Sequence, residues 1–213
     1  MITLDQVEKR YAYRTVISNF SLQIEAKEFV SIVGESGSGK TTLLNFMGAL
    51  DQPDQGDVTI AGIRNPTGKQ LQTLRRFHYG YIFQQYVLME NDTVAQNLLL
   101  SKKYNKGFST KSMEEAMDMV GLPVSFLQKK VYQLSGGEQQ RVAIARVMVK
   151  PCTIILADEP TGNLDPLNKQ IVTDLLRQFQ RMGKTVVCVT HDHDVAAQSD
   201  RIIRLSKEKG VEI

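Results

Sequence analysis

Short apolar runs rich in valine and isoleucine recur along this chain, and stretches with helical spacing fill most of the space between them. The runs lie at 29–33, 153–157, 185–189 and 201–205. Runs of this length that are apolar on both faces are typical of buried strands, and helices between them favour parallel pairing. We therefore predict a parallel sheet covered by helices.

Apolar and polar residues alternate near the N-terminus, at 2–8, 20–25 and 57–61. Alternation with a period of two predicts strands with one exposed face, which is the pattern of antiparallel sheets. These stretches indicate a small antiparallel β-subdomain.

The strand pattern is lost between residues 85 and 150. Helical spacing over 93–100, 112–120 and 137–149 instead predicts a helical subdomain set into the α/β core. A further surface helix over 168–182, with Gly183 in the position of a C-cap, is predicted to lead into a following strand.

Charge and composition narrow the class of protein. The 213 residues are 42% hydrophobic and 23% charged, which is ordinary for a globular domain. A net charge of +3 spread along the chain is too mild to indicate nucleic acid, and no such partner is expected. The apolar runs are far shorter than the roughly 18 to 20 residues that span a bilayer. Because no secretory signal precedes the first strand, we expect a cytoplasmic location.

A glycine-rich stretch between the predicted strand 29–33 and an apolar helix over 42–50 fits the pattern G-x-x-x-x-G-K-[ST]. Glycines let backbone N–H groups point at a polyphosphate, and the helix N-terminus adds partial positive charge. Lysine then reaches the β- and γ-phosphates, and the adjoining threonine hydroxyl ligates magnesium. The candidate residues for ATP and Mg²⁺ are Gly34, Glu35, Ser36, Gly37, Ser38, Gly39, Lys40, Thr41 and Thr42. A turn that only connects strand and helix is the alternative.

This loop completes the predicted architecture, an α/β fold with a P-loop NTPase core. The chain is interpreted as a single domain over 1–213, with a mainly parallel sheet, an N-terminal antiparallel β-subdomain and an inserted helical subdomain. The core with its β-subdomain comprises 1–84 and 151–213, and the helical subdomain comprises 85–150.

Two carboxylates follow the buried strand 153–157. The end of a strand is where an α/β sheet presents its active site. Asp158 is placed to hold magnesium, and Glu159 can polarise the attacking water as a general base. In isolation the pair would be interpreted as a solvated acidic turn before Pro160. The phosphate loop upstream favours the catalytic interpretation.

Residues 134–141, Leu-Ser-Gly-Gly-Glu-Gln-Gln-Arg, contain a second candidate anion site. A Ser-Gly-Gly turn that opens a helix directs backbone N–H groups at an anion, although Ser135 could also act as a simple N-cap. One nucleotide does not need two such sites from one subunit. With this segment the chain resembles the ABC ATPase family, whose signature is LSGGQ or LSGGE, and the resemblance covers essentially the whole chain.

The resemblance implies roles for further residues. Tyr11 resembles the aromatic residue that stacks on adenine, and Tyr13 is a weaker candidate. Gln84 is similar to the glutamine of the Q-loop, which touches magnesium and water. Asp165 lies in a segment similar to the D-loop of the dimer interface, and His191 is similar to the switch histidine that contacts the γ-phosphate.

The same resemblance implies how the chain assembles. ATP would be sandwiched in a homodimer, where the phosphate loop, Asp158 and Glu159 of one subunit face the signature turn of the other. The residues of that turn are Ser135, Gly136, Gly137 and Glu138. ATP binding would close the dimer and hydrolysis would open it. An integral membrane permease would hold the pair at the inner face of the cell membrane.

Finer similarities concern the kind of transporter. Residues 134–146 and 155–165 resemble small ATPases of macrolide-efflux, lipoprotein-release and bacteriocin systems, and 83–94 resemble those assigned to lactococcin-type bacteriocins. Residues 130–133 do not resemble the acidic loop of fused multidrug exporters. The predicted function is ATP hydrolysis for a separate permease that exports, or gives resistance to, a peptide, bacteriocin or lipoprotein. The alternative is a regulatory or sensing module of the same family.

Overall fold

The computed structural model describes residues 1–206 and, for the backbone alone, residues 210–212. Residues 207–209 and 213, which belong to the predicted core range 151–213, lie outside the described residues. The strands are β1 (Ile2–Tyr11), β2 (Arg14–Ile24), β3 (Phe29–Gly34), β4 (Gln55–Ile60), β5 (Ile63–Arg64), β6 (Tyr79–Phe83), β7 (Ile154–Asp158), β8 (Thr185–Val189), β9 (Arg201–Ser206) and β10 (Gly210–Glu212). The helices are α1 (Lys40–Met47), α2 (Gly68–Phe77), α3 (Val94–Leu99), α4 (Thr110–Met119), α5 (Gly136–Met148), α6 (Pro166–Arg181) and α7 (His193–Ala197).

The N-terminal part forms a four-stranded sheet in the order β2-β1-β4-β5, and all its pairs are antiparallel. Ile2, Leu4 and Val7 of β1 are buried, whereas Asp5 between them is exposed. The spacing between Leu4 and Val7 departs from strict alternation because a register shift occurs there, with Gln6 in a left-handed conformation. The predicted antiparallel sheet is confirmed.

The second sheet has the order β10-β9-β3-β8-β7-β6, and β9, β3, β8, β7 and β6 are mutually parallel. Phe83, Asp158 and Val189 pair side by side at the carboxyl ends of their strands. The residues that follow these strand ends therefore meet at one edge of the sheet. This is where the predicted catalytic residues lie, as the rule for open α/β sheets requires.

Helices occupy the segment between β6 and β7. α3, α4 and α5 bury a shared apolar face, which includes Leu98, Met117, Ala145 and Val142. Short 3₁₀ turns at Val124–Gln128 and Val131–Gln133 lead into α5. The predicted helical character is present, and the division at residues 85 and 150 stays a prediction.

The structure contains elements that the sequence pattern did not predict, among them the strands β5 and β6 and the helices α2 and α7. β6 has the sequence Tyr-Gly-Tyr-Ile-Phe and forms the edge of its sheet, so it lacks a continuous Val/Ile run. α2 is mostly polar and buries only Leu74. Several predicted bounds also differ from the structure: for example, α1 covers Lys40–Met47 rather than 42–50, and β2 begins at Arg14 rather than at residue 20. Within the described residues, none of the helices has the length and apolar character needed to cross a membrane.

Candidate functional site

The stretch from Gly34 to Thr41 joins β3 to α1 as a tight loop. Gly39 has a φ of 96°, and a Cβ there would lie 2.5 Å from Cδ1 of Ile17, so the position requires glycine. The buried ammonium group of Lys40 donates to the carbonyl oxygens of Gly34 at 2.7 Å and of Glu35 at 2.8 Å. The loop therefore curls around a positive charge.

Ser38 adds a further polar group to the loop. Its hydroxyl oxygen is buried, and no hydrogen-bond partner for it occurs in the part of the chain that the structure describes. A buried polar atom without a partner is energetically unfavourable unless a ligand or water satisfies it. Ser36 is exposed near the same turn, and Thr42 is half-buried in the first turn of α1. The loop thus offers donors suited to a polyanion.

Asp158 ends β7 beside this loop and interacts with the Thr41 hydroxyl. Burial, followed by the negative charge of Glu159, raises the pKa of the Asp158 carboxyl above its usual value, against the opposing effects of Lys40 and Thr41. A carboxylate next to a hydroxyl is a fitting oxygen donor set for Mg²⁺. Among the described residues there is no group of three or more His, Cys, Asp or Glu that could hold a metal ion. Phosphate oxygens and water would complete the coordination.

Glu159 directly contacts His191. Oε2 of Glu159 lies 2.9 Å from Nδ1 of His191 and accepts the backbone N–H of His191 at 3.3 Å. The Glu159 side chain is 17% exposed and that of His191 is 69% exposed. Glu159 has a φ of 46°, a left-handed conformation that is uncommon for residues other than glycine. The backbone is therefore strained at the residue predicted to act as the base.

Gln84 lies next to the turn that follows Glu159. A Cβ on Gly162 would be 3.0 Å from Nε2 of Gln84, and the N–H of Gly162 donates to the carbonyl oxygen of Glu159 at 3.1 Å. The absence of a side chain on Gly162 thus allows the glutamine amide to approach this turn. The structure brings Gln84 into the neighbourhood of the two carboxylates.

The signature turn is held within its own chain. Ser135 and Glu138 form a capping box: Ser135 N–H donates to Glu138 Oε2 at 2.7 Å, and Glu138 N–H donates to Ser135 Oγ at 3.4 Å. Gly136 is exposed, and a Cβ there would lie 2.9 Å from the hydroxyl of Tyr86. The simple capping role considered for Ser135 is present. It leaves the exposed N-terminus of α5 available for an anion.

Gly137 packs against the start of α6. A Cβ on Gly137 would lie 2.4 Å from Cγ of Asn168, and Asn168 donates its backbone N–H to Oδ1 of Asp165 at 3.0 Å. Asp165 is the N-cap of α6. The structure therefore joins the signature turn to Asp165 through Asn168.

Tyr11 lies at the end of β1, close to α1. Its hydroxyl donates to Oδ2 of Asp51 at 2.9 Å, and its side chain interacts with that of Thr42. The residue is 47% exposed, so part of the ring is open to a ligand. Tyr13 is fully exposed. These positions favour Tyr11 over Tyr13 as an adenine platform.

Sequence reasoning missed the residues that support the predicted ones. Asn168 could have been found from its place three residues after the N-cap Asp165, which is a common capping arrangement. Lys9 and Asp51 border Tyr11, and Arg146 donates to the carbonyl oxygens of Tyr86 and Val87. The contacts of Asp51 with Tyr11 and of Arg146 with Tyr86 and Val87 join residues 40 to 60 positions apart, and no local pattern reveals them.

Comparison with known proteins gives the family. The sequence profile described as ABC transporter matches residues 17–162, which is more than half of the chain. The macrolide export ATP-binding/permease protein MacB of Pasteurella multocida is 41% identical over 214 residues, covering 96% of this chain and 33% of that protein. The MacB of Salmonella typhimurium is 43% identical over 199 residues, covering 91% and 31%.

Solved structures agree with this result. The post-hydrolysis dimer of the ATP-binding cassette MJ0796 bound to ADP and Pi matches with a TM-score of 0.89 and 39% identity, over 100% of this chain and 97% of that chain. Another dimeric structure of MJ0796, described as a bacterial ABC transporter cassette, matches with a TM-score of 0.87 and 42% identity over 96% and 94%.

The chain belongs to the ABC transporter family and is one of its ATP-binding ATPases. The predicted fold class is confirmed along with the family. The chain spans about a third of the length of the curated relatives it matches. The roles of individual site residues stay predictions.

Proposed function

We propose that two copies of this chain bind and hydrolyse ATP between them and that the cycle drives a separate membrane permease. The observation that carries the proposal is the meeting of the phosphate loop, Asp158, Glu159 and His191 at the carboxyl ends of β3, β7 and β8. This meeting supports the proposal, because a phosphate cradle, oxygen ligands, a base and a histidine would then share one sheet edge.

The residues divide the chemistry among them. The backbone of 34–41 and the ammonium of Lys40 hold the β- and γ-phosphates, since the two carbonyl contacts of Lys40 can be exchanged for phosphate oxygens. Thr41 and Asp158, with Gln84 nearby, would hold magnesium, which neutralises charge on the phosphates. Glu159 orients the attacking water and accepts its proton.

His191 has a double role in this proposal. Its Nδ1–H donates to Glu159, which fixes the carboxylate and leaves Nε2 of the exposed ring for the γ-phosphate. A histidine that contacts both the base and the phosphate can report the loss of the γ-phosphate to the rest of the site.

The second half of each site is proposed to come from a partner copy. The exposed turn at Ser135 and Gly136 opens a helix whose N–H groups and dipole favour an anion. Asn168 joins this turn to Asp165, so the two predicted interface segments would move as one unit. The dimeric state described for MJ0796 supports a dimer of this chain.

The permease is proposed to dock in a groove of about 270 Å³ beside the edge strand β6. Tyr81, Phe83, Leu100, Tyr104 and Val147 supply an apolar floor, and Arg146 and Lys150 supply charge. No acidic residue occurs over 58–89 or 93–113, whereas eight Lys and Arg do. A cytoplasmic segment with apolar and acidic side chains would complement this surface.

We propose a peptide, bacteriocin or lipoprotein as the cargo, for export or resistance, because 83–94 and 155–165 resemble the ATPases of such systems. The macrolide export named for the relatives supports outward transport and offers macrolides as the competing cargo. The relatives combine ATP-binding and permease parts by name, which supports a membrane partner.

The test begins with a tagged chain expressed in its native cell. We expect a polytopic membrane protein to copurify from solubilised membranes with the wild-type chain and to be lost with a variant that carries Lys102→Glu and Lys103→Glu, two exposed positions beside the groove. In proteoliposomes holding the complex, a hydrophobic peptide or acylated peptide should stimulate ATP hydrolysis and a macrolide should not. Copurification of only soluble proteins would contradict the proposal of a membrane permease as partner. Stimulation by the macrolide alone would contradict the proposed peptide, bacteriocin or lipoprotein cargo.

A further inference from the structure

A network of side chains holds the ring of Tyr11 in place. The hydroxyl of Tyr11 donates to Oδ2 of Asp51 at 2.9 Å, and Oδ1 of Asp51 accepts from the backbone N–H of Gln52 at 2.7 Å. Burial, followed by the hydrogen bond to Asp51, raises the pKa of Tyr11, so its hydroxyl remains a donor at neutral pH. The ring is therefore anchored at its outer end rather than by packing alone.

Lys9 lies two residues before Tyr11 in β1, and its side chain reaches the Tyr11 ring across a shift in strand register between Lys9 and Arg10. Its ammonium lies 3.2 Å from Oδ1 of Asp51, donates to the carbonyl oxygen of Gln52 at 2.7 Å and lies 5.4 Å from the centroid of the Tyr11 ring. That distance is within the range of a cation–π contact. Lys9 thus braces Asp51 and lies over one face of the ring.

We propose that Asp51 is a positioning residue that holds Tyr11 as a preformed platform for the nucleotide base, with Lys9 bracing the carboxylate. The base stacks on the ring face opposite Lys9. This inference rests on the proposed role of Tyr11 and adds a residue that acts only through it. The interaction of Tyr11 with Thr42, in the first turn of α1, keeps the platform next to the phosphate loop.

The expected effect follows from the side-chain conformations that an unanchored tyrosine can adopt. A free χ1 has about three staggered positions, and apparent affinity falls in proportion to the fraction in the binding position. Loss of the anchor should therefore weaken nucleotide binding about threefold. The platform offers a ring face and no group that distinguishes base edges. The affinities for ATP and GTP should therefore fall by the same factor.

The experiment compares nucleotides with a ligand that has no base. Dissociation constants for Mg–ATP, Mg–GTP and Mg–tripolyphosphate are measured by calorimetry for the wild type, Tyr11→Phe, Asp51→Ala and the double variant. We expect about a threefold loss for both nucleotides in each variant, no further loss in the double variant and unchanged tripolyphosphate binding. Tyr13→Phe, which removes the same hydroxyl from an exposed tyrosine, is the matched control and should bind as the wild type does.

Tyr11→Ala separates failure of this inference from failure of the proposed site. Loss of the whole stack should weaken ATP binding by about 5- to 150-fold. If Tyr11→Ala shows that loss and Tyr11→Phe binds ATP normally, Asp51 does not position the ring and the inference is overturned. If Tyr11→Ala also binds ATP normally, the base lies elsewhere, and both the proposed role of Tyr11 and the inference about Asp51 fail. An equal loss for tripolyphosphate would show damage to the phosphate loop and would overturn the inference too.

Discussion

Nδ1 of His191 lies 2.9 Å from Oε2 of Glu159, although the two residues are 32 positions apart in the chain. The parallel pairing of β7 and β8 brings them together, because Asp158 and Val189 are register partners at the ends of these strands. The same carboxylate oxygen also accepts the backbone N–H of His191. The carboxylate proposed as the base is thereby held through Oε2.

This contact predicts that Glu159 and His191 act as a unit. His191→Ala should lower turnover strongly in the wild-type background, because it frees the carboxylate and removes the phosphate contact. In a Glu159→Gln background the same change should have little further effect, as is usual for residues of one catalytic unit. Single-turnover hydrolysis rates for the four proteins measure this. Fully multiplicative losses would show that the two residues act independently.

The pKa of Asp158 predicts how this site affects stability. Its folded pKa is raised above the ordinary 3.8, so the folded state favours the neutral carboxyl. The associated stability is fully present below the unfolded pKa and is lost as pH rises through the folded pKa. Asp158→Asn should therefore be more stable than the wild type at pH 7 without nucleotide, and the difference should shrink as pH falls towards 4.

Urea unfolding at several pH values, without magnesium, measures this difference. Asp118→Asn removes an exposed carboxylate from α4 and serves as the control. A wild type that is more stable than Asp158→Asn at pH 7 would contradict the cause assigned to the shift. Asp158→Asn should also lose magnesium-dependent ATP hydrolysis. Asp158 would then lower the stability of the folded chain while being required for activity.

The close packing of Gly137 against Asn168 predicts that a side chain at position 137 lowers stability. Its missing Cβ accommodates the amide of Asn168, and Gly137→Ala would force that amide away. Overpacking of this kind typically destabilises a protein by about 1 to 3 kcal/mol. The free energy of unfolding should fall by that amount, and Asn168→Ala in the same chain should recover most of it.

Gly107→Ala is the control for this change, because a Cβ there would lie at an ordinary 3.5 Å from Oδ1 of Asn105. Equal stability of Gly137→Ala and Gly107→Ala would show that the contact between α5 and α6 is looser than described.

Strand periodicity predicted the sheets well because buried strands such as β8 are continuous Val and Cys runs. The edge strand β6 was missed because it is aromatic and half-exposed on one face. The phosphate loop was predictable because the ligand requires local backbone geometry at fixed spacing. The pairs of Glu159 with His191 and of Tyr11 with Asp51 were not, because sheet topology and a loop, rather than spacing, create them.

The basic groove predicts a salt-dependent partner. Lys102 and Lys103 lie between the lining residues Ser101 and Tyr104. The double change Lys102→Glu with Lys103→Glu should weaken binding of the permease and reduce the permease's effect on ATP hydrolysis. The wild-type interaction should weaken as salt is raised, because exposed charges are screened. Arg181→Glu, at the exposed end of α6, is the control. Unchanged permease binding in the double reversal would place the docking surface elsewhere.

The central claim is that Glu159 hydrolyses an ATP held between two copies of the chain, and size-exclusion chromatography of Glu159→Gln tests it most directly. Removing the base should slow turnover about a hundred- to ten-thousand-fold while ATP and magnesium still bind. With ATP, the variant should shift from monomer to dimer, whereas the wild type should do so only transiently. Adding Ser135→Arg should abolish the shift, because a bulky cation would obstruct the partner's γ-phosphate site, while each monomer still binds ATP through its own phosphate loop. A Glu159→Gln protein that turns over at the wild-type rate, or a trapped dimer that survives Ser135→Arg, would contradict the claim.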